Sequence, residues 1–112
     1  MARLRSEIWV AAFVRRHAQQ GRICVITRKG DPSAGQIWIE VDHLNGTVSL
    51  FVPAPAGLES FEDSDRTFMR RFDRASPEAV GARVLREAGY DPDLWVVTLE
   101  SRDTDVGLNL TG

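Results

Sequence analysis

"GQIWIEVDHLNGTVSLFVP", residues 35–53, carries the strand pairing from which the rest of the fold is read. Two alternating apolar runs flank Leu44-Asn45-Gly46. Asn-Gly between such runs is the strongest short-range hairpin signal, because both residues tolerate the positive φ of a type I′ turn. With Asn45 and Gly46 as the turn, Leu44 faces Thr47, Val41 faces Leu50 and Ile39 faces Val52. That register puts Ile37, Ile39, Val41, Val48, Leu50 and Val52 on one side of the sheet. Trp38 then points to the other side, with Phe51 as its diagonal neighbour and Glu40, Asp42 and Ser49 as polar company. Large aromatics on such a face are apolar area that a partner can cover. Either a loop or the edge of another element covers this pair, or Trp38 and Phe51 are interface residues, in which case a twofold homodimer is the simplest way to cover them.

Upstream, "SEIWVAAFVRRHAQQG" reads as a helix, with Ser6 as cap, Glu7 at the positive end of the dipole, Arg15 and Arg16 toward the other end and Gly21 as stop. Trp9, Phe13 and His17 share a face that Val10 and Val14 widen, so this helix is expected to be largely buried or to pack on a partner. "RICVITR" is rich in β-branched residues and reads as a buried strand. Downstream, "PAPAGLESFEDSD" reads as loop, and "RTFMRRFD" is ambiguous, since Phe68 and Phe72 suit a helical i, i+4 pair and also lie on one face of a strand; an edge strand carrying charge is the favoured reading of the two. "SPEAVGARVLREAG" has Ser76 as cap, Pro77 in the first position, Val80, Val84, Leu85 and Ala88 as apolar face and Gly89 as stop. "LWVVTLE" is a strand entered at Leu94 and Trp95, and the chain from about Asp103 is expected to fray. The sum is one α+β domain over 1–112, in the order α-β-β-β-β-α-β. The mainly antiparallel sheet has four to five strands, with the two helices on one face.

Composition bounds what such a domain does. At 112 residues, 43% hydrophobic and 27% charged, the chain can bury one core without metals or disulfides. A formal net charge of −2 argues against a general nucleic-acid binder. The apolar run "IWVAAFV" is too short to span a bilayer and ends at Arg15 and Arg16 rather than at a small-residue cleavage site. Cys24 is the single cysteine, which fits a reducing cytoplasm.

"RKGDPSAGQIWIEV" contains Gly30, four residues and Gly35, the frame of a phosphate-cradling loop. A phosphate loop needs Lys and Ser/Thr directly after the second Gly and must open into a helix, whereas Gln36 and a strand follow here. A hairpin loop is the simpler reading, and no nucleotide or other cofactor is expected. Arg28, Lys29 and Asp31, joined by Asp93 of "DPD", remain candidate ligand-binding residues for an anionic metabolite. Cys24, mid-strand between Ile23 and Val25, reads as an inert small hydrophobe. Asp42 and His43 point to opposite faces of a strand, and His17 and His43 have no metal-ligand spacing around them. Hence no catalytic residue and no metal site is expected. The acidic cluster Glu59, Glu62, Asp63 and Asp65, followed by Arg66, Arg70, Arg71 and Arg74, reads as a solvated charge pattern.

Arg28, Gly30-Asp31, Ala34-Gly35, Gly46 and Asp91-Pro92-Asp93-Leu94-Trp95, with the helix "EIWVAAFVRR", resemble a family of small bacterial proteins known as domain of unknown function 1491. The resemblance covers nearly the whole chain and matches only loosely over "FEDSDRTFMRRFDRASPE". It implies a compact cytosolic domain and carries no activity. The functional expectation is a non-catalytic binding or protein-interaction module, with a homodimer as one form it can take. The alternative is a small enzyme or ligand-binding domain that uses the Arg28–Gly35 loop.

Overall fold

A computed structural model describes residues 4–55 and 66–111, so the acidic cluster at 59–65 lies outside the described residues. The order is α1 (Ser6–Gln19), β1 (Cys24–Arg28), β2 (Ile37–Asp42), β3 (Val48–Pro53), β4 (Thr67–Ala75), α2 (Pro77–Tyr90), β5 (Trp95–Glu100) and β6 (Asn109–Leu110). The α+β class and the order of the first seven elements are as expected, and β6 is an addition. Among the described residues the sheet is mixed and has six strands, ordered β1-β5-β2-β3-β4-β6. β5 lies between β1 and β2, antiparallel to the first and parallel to the second. The expected β1–β2 hairpin therefore does not exist. Since β4 and β5 run in the same direction, their connection must cross over the sheet, and α2 supplies the crossover.

The two helices cover opposite faces, not one. Trp9, Val10 and Phe13 of α1 pack on Ile37, Ile39, Val41, Phe51, Trp95, Val97 and Leu99. Val80 of α2, with Val84 and Ala88, packs on Trp38, Leu50, Leu94 and Val96. β2 and β5 are buried along both faces, as central strands covered on two sides must be.

The hairpin register is one residue away from the expected one. Ile39 pairs with Phe51, Glu40 with Leu50 and Val41 with Ser49. Leu44 takes φ 63°, Gly46 takes φ 88°, and the His43 amide donates to the Thr47 carbonyl, so the connection has three residues instead of two. Because side chains alternate with period two, the slip moves Phe51 to the α1 face and Leu50 to the α2 face. Trp38 (3% exposed) lies beneath α2 and Phe51 beneath α1. The candidate interface pair thus shares neither a face nor solvent.

β4 is the charged strand of the favoured reading, and among the described residues only the two-residue β6 pairs beyond it. Its register against β3 shifts twice, and Arg74 takes φ 51°. Phe68 consequently joins the α1 core and Phe72 the α2 core. β1 is an edge strand rather than a buried one: Cys24 is buried, whereas Val25, Ile26 and the preceding Ile23 (58% exposed) are in solvent. Beyond β5, Val106 is buried and its carbonyl accepts from the His17 ring.

α2 begins as read, with Ser76 Oγ accepting from the Ala79 amide, but continues past Gly89 to Tyr90. Leu85, expected on its buried face, is 76% exposed. In α1, Arg5 holds the cap position, and Ser6 Oγ donates to the Gly35 carbonyl instead of capping. Gly21 ends α1 as expected, with φ 80° and with Gly21 and Arg22 amides donating to Ala18 and His17 carbonyls.

Candidate functional site

The Arg28–Gly35 loop is a clamp built for the fold. The Asp31 amide donates to the Asp93 carbonyl at 3.1 Å, and the Trp95 indole donates to the Asp31 carbonyl at 2.7 Å. A Cβ on Gly30 or Gly35 would stand 2.1 or 2.2 Å from the Asp93 oxygen, so this crossing of β5 requires bare backbone. The loop also supplies the carbonyls of Pro32 and Ser33 to the first free amides of α1, at Glu7 and Ser6. The Asp31 carboxylate accepts from the Ser33 and Ala34 amides of its own loop. Lys29 and Asp93 are exposed. Of the four candidate ligand-binding residues, Arg28 turns toward a cavity.

That cavity is a groove of about 390 Å³ between α2 and the part of the sheet that α2 leaves uncovered. One helix is about 10 Å wide, whereas six strands at about 4.8 Å spacing are far wider, so a single crossover helix cannot cover the face. Gly81, Val84, Leu85 and Ala88 form the helix side; Thr27, Arg28, Glu40 and Val96 form the floor. The sheet places these groups in rows. Arg28, Val96 and Trp38 occupy one row; Val25, Thr98 and Glu40 occupy the next but one; Glu100 and Asp42 follow on the same face. A shift in register between Ile26 and Arg28 turns both Thr27 and Arg28 toward the groove.

The floor is rich in acceptors at one end. Thr27 Oγ1 donates to the Val96 carbonyl and lies 3.3 Å from Thr98 Oγ1, which in turn is 3.4 Å from Glu40 Oε2. Burial pushes the Glu40 carboxyl above its usual range, opposed by the Thr98 hydroxyl. Among the described residues no cation lies within ion-pair distance of it. At the other end, Arg28 Nη2 makes one long bond of 3.4 Å to the Pro92 carbonyl, and its buried Nε has no acceptor. Glu40 was legible only as polar company for Trp38. The usable signal was one acid inside the apolar run "IWIEV", in a strand that proves central.

The residues with nucleophilic or basic character are occupied elsewhere. The Cys24 thiol is buried, and burial pushes its pKa up to about 11. His17 Nδ1 accepts from Arg22 and Nε2 donates to the Val106 carbonyl; burial, Arg22 and Arg16 hold its pKa below 6.5. His43 lies between the Ser101 carbonyl and Ser49 Oγ, both at 2.8 Å. Ser49 Oγ also accepts from the Arg74 amide. This Ser-His contact resembles a nucleophile with its base, yet both residues are 0% exposed, so no substrate reaches it. Among the described residues no three His, Cys, Asp or Glu side chains are grouped to hold a metal ion, and no helix is long and apolar enough to cross a membrane.

The family described as protein of unknown function (DUF1491) matches residues 4–109. A crystal structure of a DUF1491 family protein from Caulobacter crescentus CB15 is 32% identical, with a TM-score of 0.78 over 97% of this chain and 98% of that one. A solution structure of a protein from A. tumefaciens is 33% identical, with a TM-score of 0.83 over 97% of this chain and 95% of that one. A solution structure of a Caulobacter crescentus CB15 family protein is 34% identical, with a TM-score of 0.77 and 97% coverage of each chain. No curated protein matches the sequence.

Proposed function

The chain belongs to the DUF1491 family of unknown function, and we propose that it is a non-catalytic binding module whose site is the groove beside α2. The observation that carries this reading is Glu40, a desolvated carboxylate with no cation beside it, facing a groove walled by Val84, Leu85 and Ala88. A half-buried unpaired charge costs stability, and Gln or Thr would serve the fold better there. A bound cation with a hydrocarbon body would repay that cost, since it pairs the carboxylate and covers the apolar wall. Asp42 and Glu100, on the same face one pleat further on, add to the negative potential.

The test is titration of the protein with n-hexylammonium, followed by amide chemical shifts. Saturable shifts confined to Thr27, Glu40, Val84, Leu85, Ala88, Val96 and Thr98 support the reading. Glu40→Gln should abolish them while leaving the thermal midpoint at pH 7 unchanged or higher, because the raised carboxyl stabilises the fold only while protonated. No saturable shift in the groove, or an equal shift in Glu40→Gln, removes the proposal.

A second reading, self-association, is favoured by the exposed Ile23, Val25 and Ile26 on the open β1 edge. A second copy adding antiparallel to β1 would cover them. Five residues of edge extend only about 17 Å, which gives an interface at or below the low end of specific contacts and hence a weak dimer. Sedimentation equilibrium at several hundred micromolar decides it: a rise in mass that Val25→Lys removes supports the dimer, and a wild-type monomer excludes it. An anionic metabolite held by the loop itself has lost its support, because Asp31 is spent on the loop and Lys29 and Asp93 point to solvent. A cytoplasmic location belongs to the same proposal and is supported by the single free Cys24.

A further inference from the structure

The groove is electrically asymmetric, and the asymmetry selects a ligand class more narrowly than a cation. Glu40, backed by Asp42 and Glu100, makes one end negative; Arg28, with no ion pair among the described residues and a buried Nε lacking an acceptor, makes the other end positive. The two charges do not neutralise one another, because they stand in different rows, two strands apart: Arg28 in the Val96 row of β1 and Glu40 in the Thr98 row of β2. Two strand spacings across and two residues along the sheet put their Cα atoms roughly 12 Å apart. The Glu40 carboxylate lies beside Thr98, whereas the Arg28 guanidinium reaches toward Pro92, beyond the Val96 row, so the two charged heads stay roughly as far apart as the Cα atoms; a ligand with about five methylenes between its charged ends, and a hydrogen bond of about 3 Å at each end, covers that span. Val84, Leu85, Ala88 and Val96 line that middle section with hydrocarbon.

We propose that the groove recognises a short ampholyte, its ammonium on Glu40, its hydrocarbon along Val84, Leu85 and Val96, and its carboxylate on Arg28. The acceptor inventory at the first end agrees with an ammonium: three N–H donors meet the Glu40 carboxylate and the hydroxyl oxygens of Thr98 and Thr27, which lie 3.3 Å apart. A guanidinium at the other end offers a fork to a carboxylate and is always charged. A simple alkylammonium would leave Arg28 unpaired, and a simple alkylcarboxylate would leave Glu40 unpaired while bringing a second anion near it. Only a ligand with both charges satisfies both ends. This inference rests on the groove being the binding site, and its test separates the two claims.

The experiment compares 6-aminohexanoate, n-hexylammonium and hexanoate by amide-shift titration at pH 7. The expected result is that 6-aminohexanoate binds at least tenfold tighter than n-hexylammonium, while hexanoate gives no saturable shift in the groove. In Arg28→Gln, 6-aminohexanoate should fall to the affinity of n-hexylammonium, and Arg28→Lys should recover part of the loss; each variant's spectrum shows that it is folded. Equal binding of 6-aminohexanoate and n-hexylammonium, or indifference to Arg28→Gln, overturns the ampholyte and leaves the cation site standing. Failure of all three probes overturns both.

Discussion

The Trp95 indole nitrogen donates to the Asp31 carbonyl at 2.7 Å, binding the start of a central strand to a loop that sequence spacing alone makes look like a phosphate cradle. The contact explains both glycines of that loop. Gly30 and Gly35 each pass so close to Asp93 and the Trp95 ring that a methyl group has no space.

Gly30→Ala and Gly35→Ala should each destabilise the domain by about 1–3 kcal/mol or more, since the obstruction is backbone and cannot swing aside. Gly89→Ala is the control: it lies within α2 with nothing near its Cβ position and should stabilise by about 0.5–1 kcal/mol. Chemical denaturation of the three variants reads the contrast. A phosphate-loop role would instead leave stability nearly unchanged.

Trp38 tests the observed hairpin register. Buried beneath α2 with Leu50, Val80 and Val96, it donates through Nε1 to Gln36 and carries the Arg83 guanidinium 5.0 Å above its ring. Trp38→Ala should cost about 3–5 kcal/mol, and Trp38→Glu should unfold the chain. A folded Trp38→Glu, judged by circular dichroism, would restore the two-residue turn and the exposed aromatic pair.

His17 sets a pH dependence whose sign follows from its environment. Its folded pKa is held below 6.5 first by burial and then by Arg22 and Arg16, so below pH 6.5 the unfolded chain takes up more protons than the folded one. Its contribution to stability is present above pH 6.5 and is lost as pH falls through the folded pKa. Proton NMR of the ring should show it neutral at pH 6.5. Half-protonation at or above that pH would contradict the bonds to Arg22 and Val106.

Cys24 should react slowly with thiol reagents at pH 8 in the native state and rapidly after unfolding, because burial raises its pKa to about 11 and leaves very little thiolate. Rapid native labelling would contradict its place under α1.

Local chemistry made most elements legible. Ser76-Pro77 announced the start of α2, Gly21 the end of α1, and the β-branched runs β1, β2, β3 and β5, whereas Phe68 and Phe72 of β4 suit a helix as well as a strand. Long-range choices were not legible. The insertion of β5 between β1 and β2 depends on pairing residues about seventy positions apart, which no local signal records. A continuous run such as Trp95-Val96-Val97 does signal burial on two faces, and that would have placed a helix on each side of the sheet. The turn differs because Leu44, a γ-branched residue, takes the positive φ that sequence rules assign to Asn45, while Gly46 keeps its own. The groove was hidden by the same two errors: Glu40 becomes a floor residue only once β5 lies beside β2 and α2 covers Trp38.

If Glu40 pairs with the cationic group of a ligand, the titration of its carboxyl must respond to that ligand. Carbon-detected NMR of the Glu40 carboxyl, titrated with and without saturating n-hexylammonium, tests that pairing most directly. The free protein should titrate above 4.5, as burial requires, and the bound ammonium should lower that value, because a nearby cation favours the charged carboxylate. A Glu40 titration that is the same with and without n-hexylammonium, while the ligand is bound, would contradict the account.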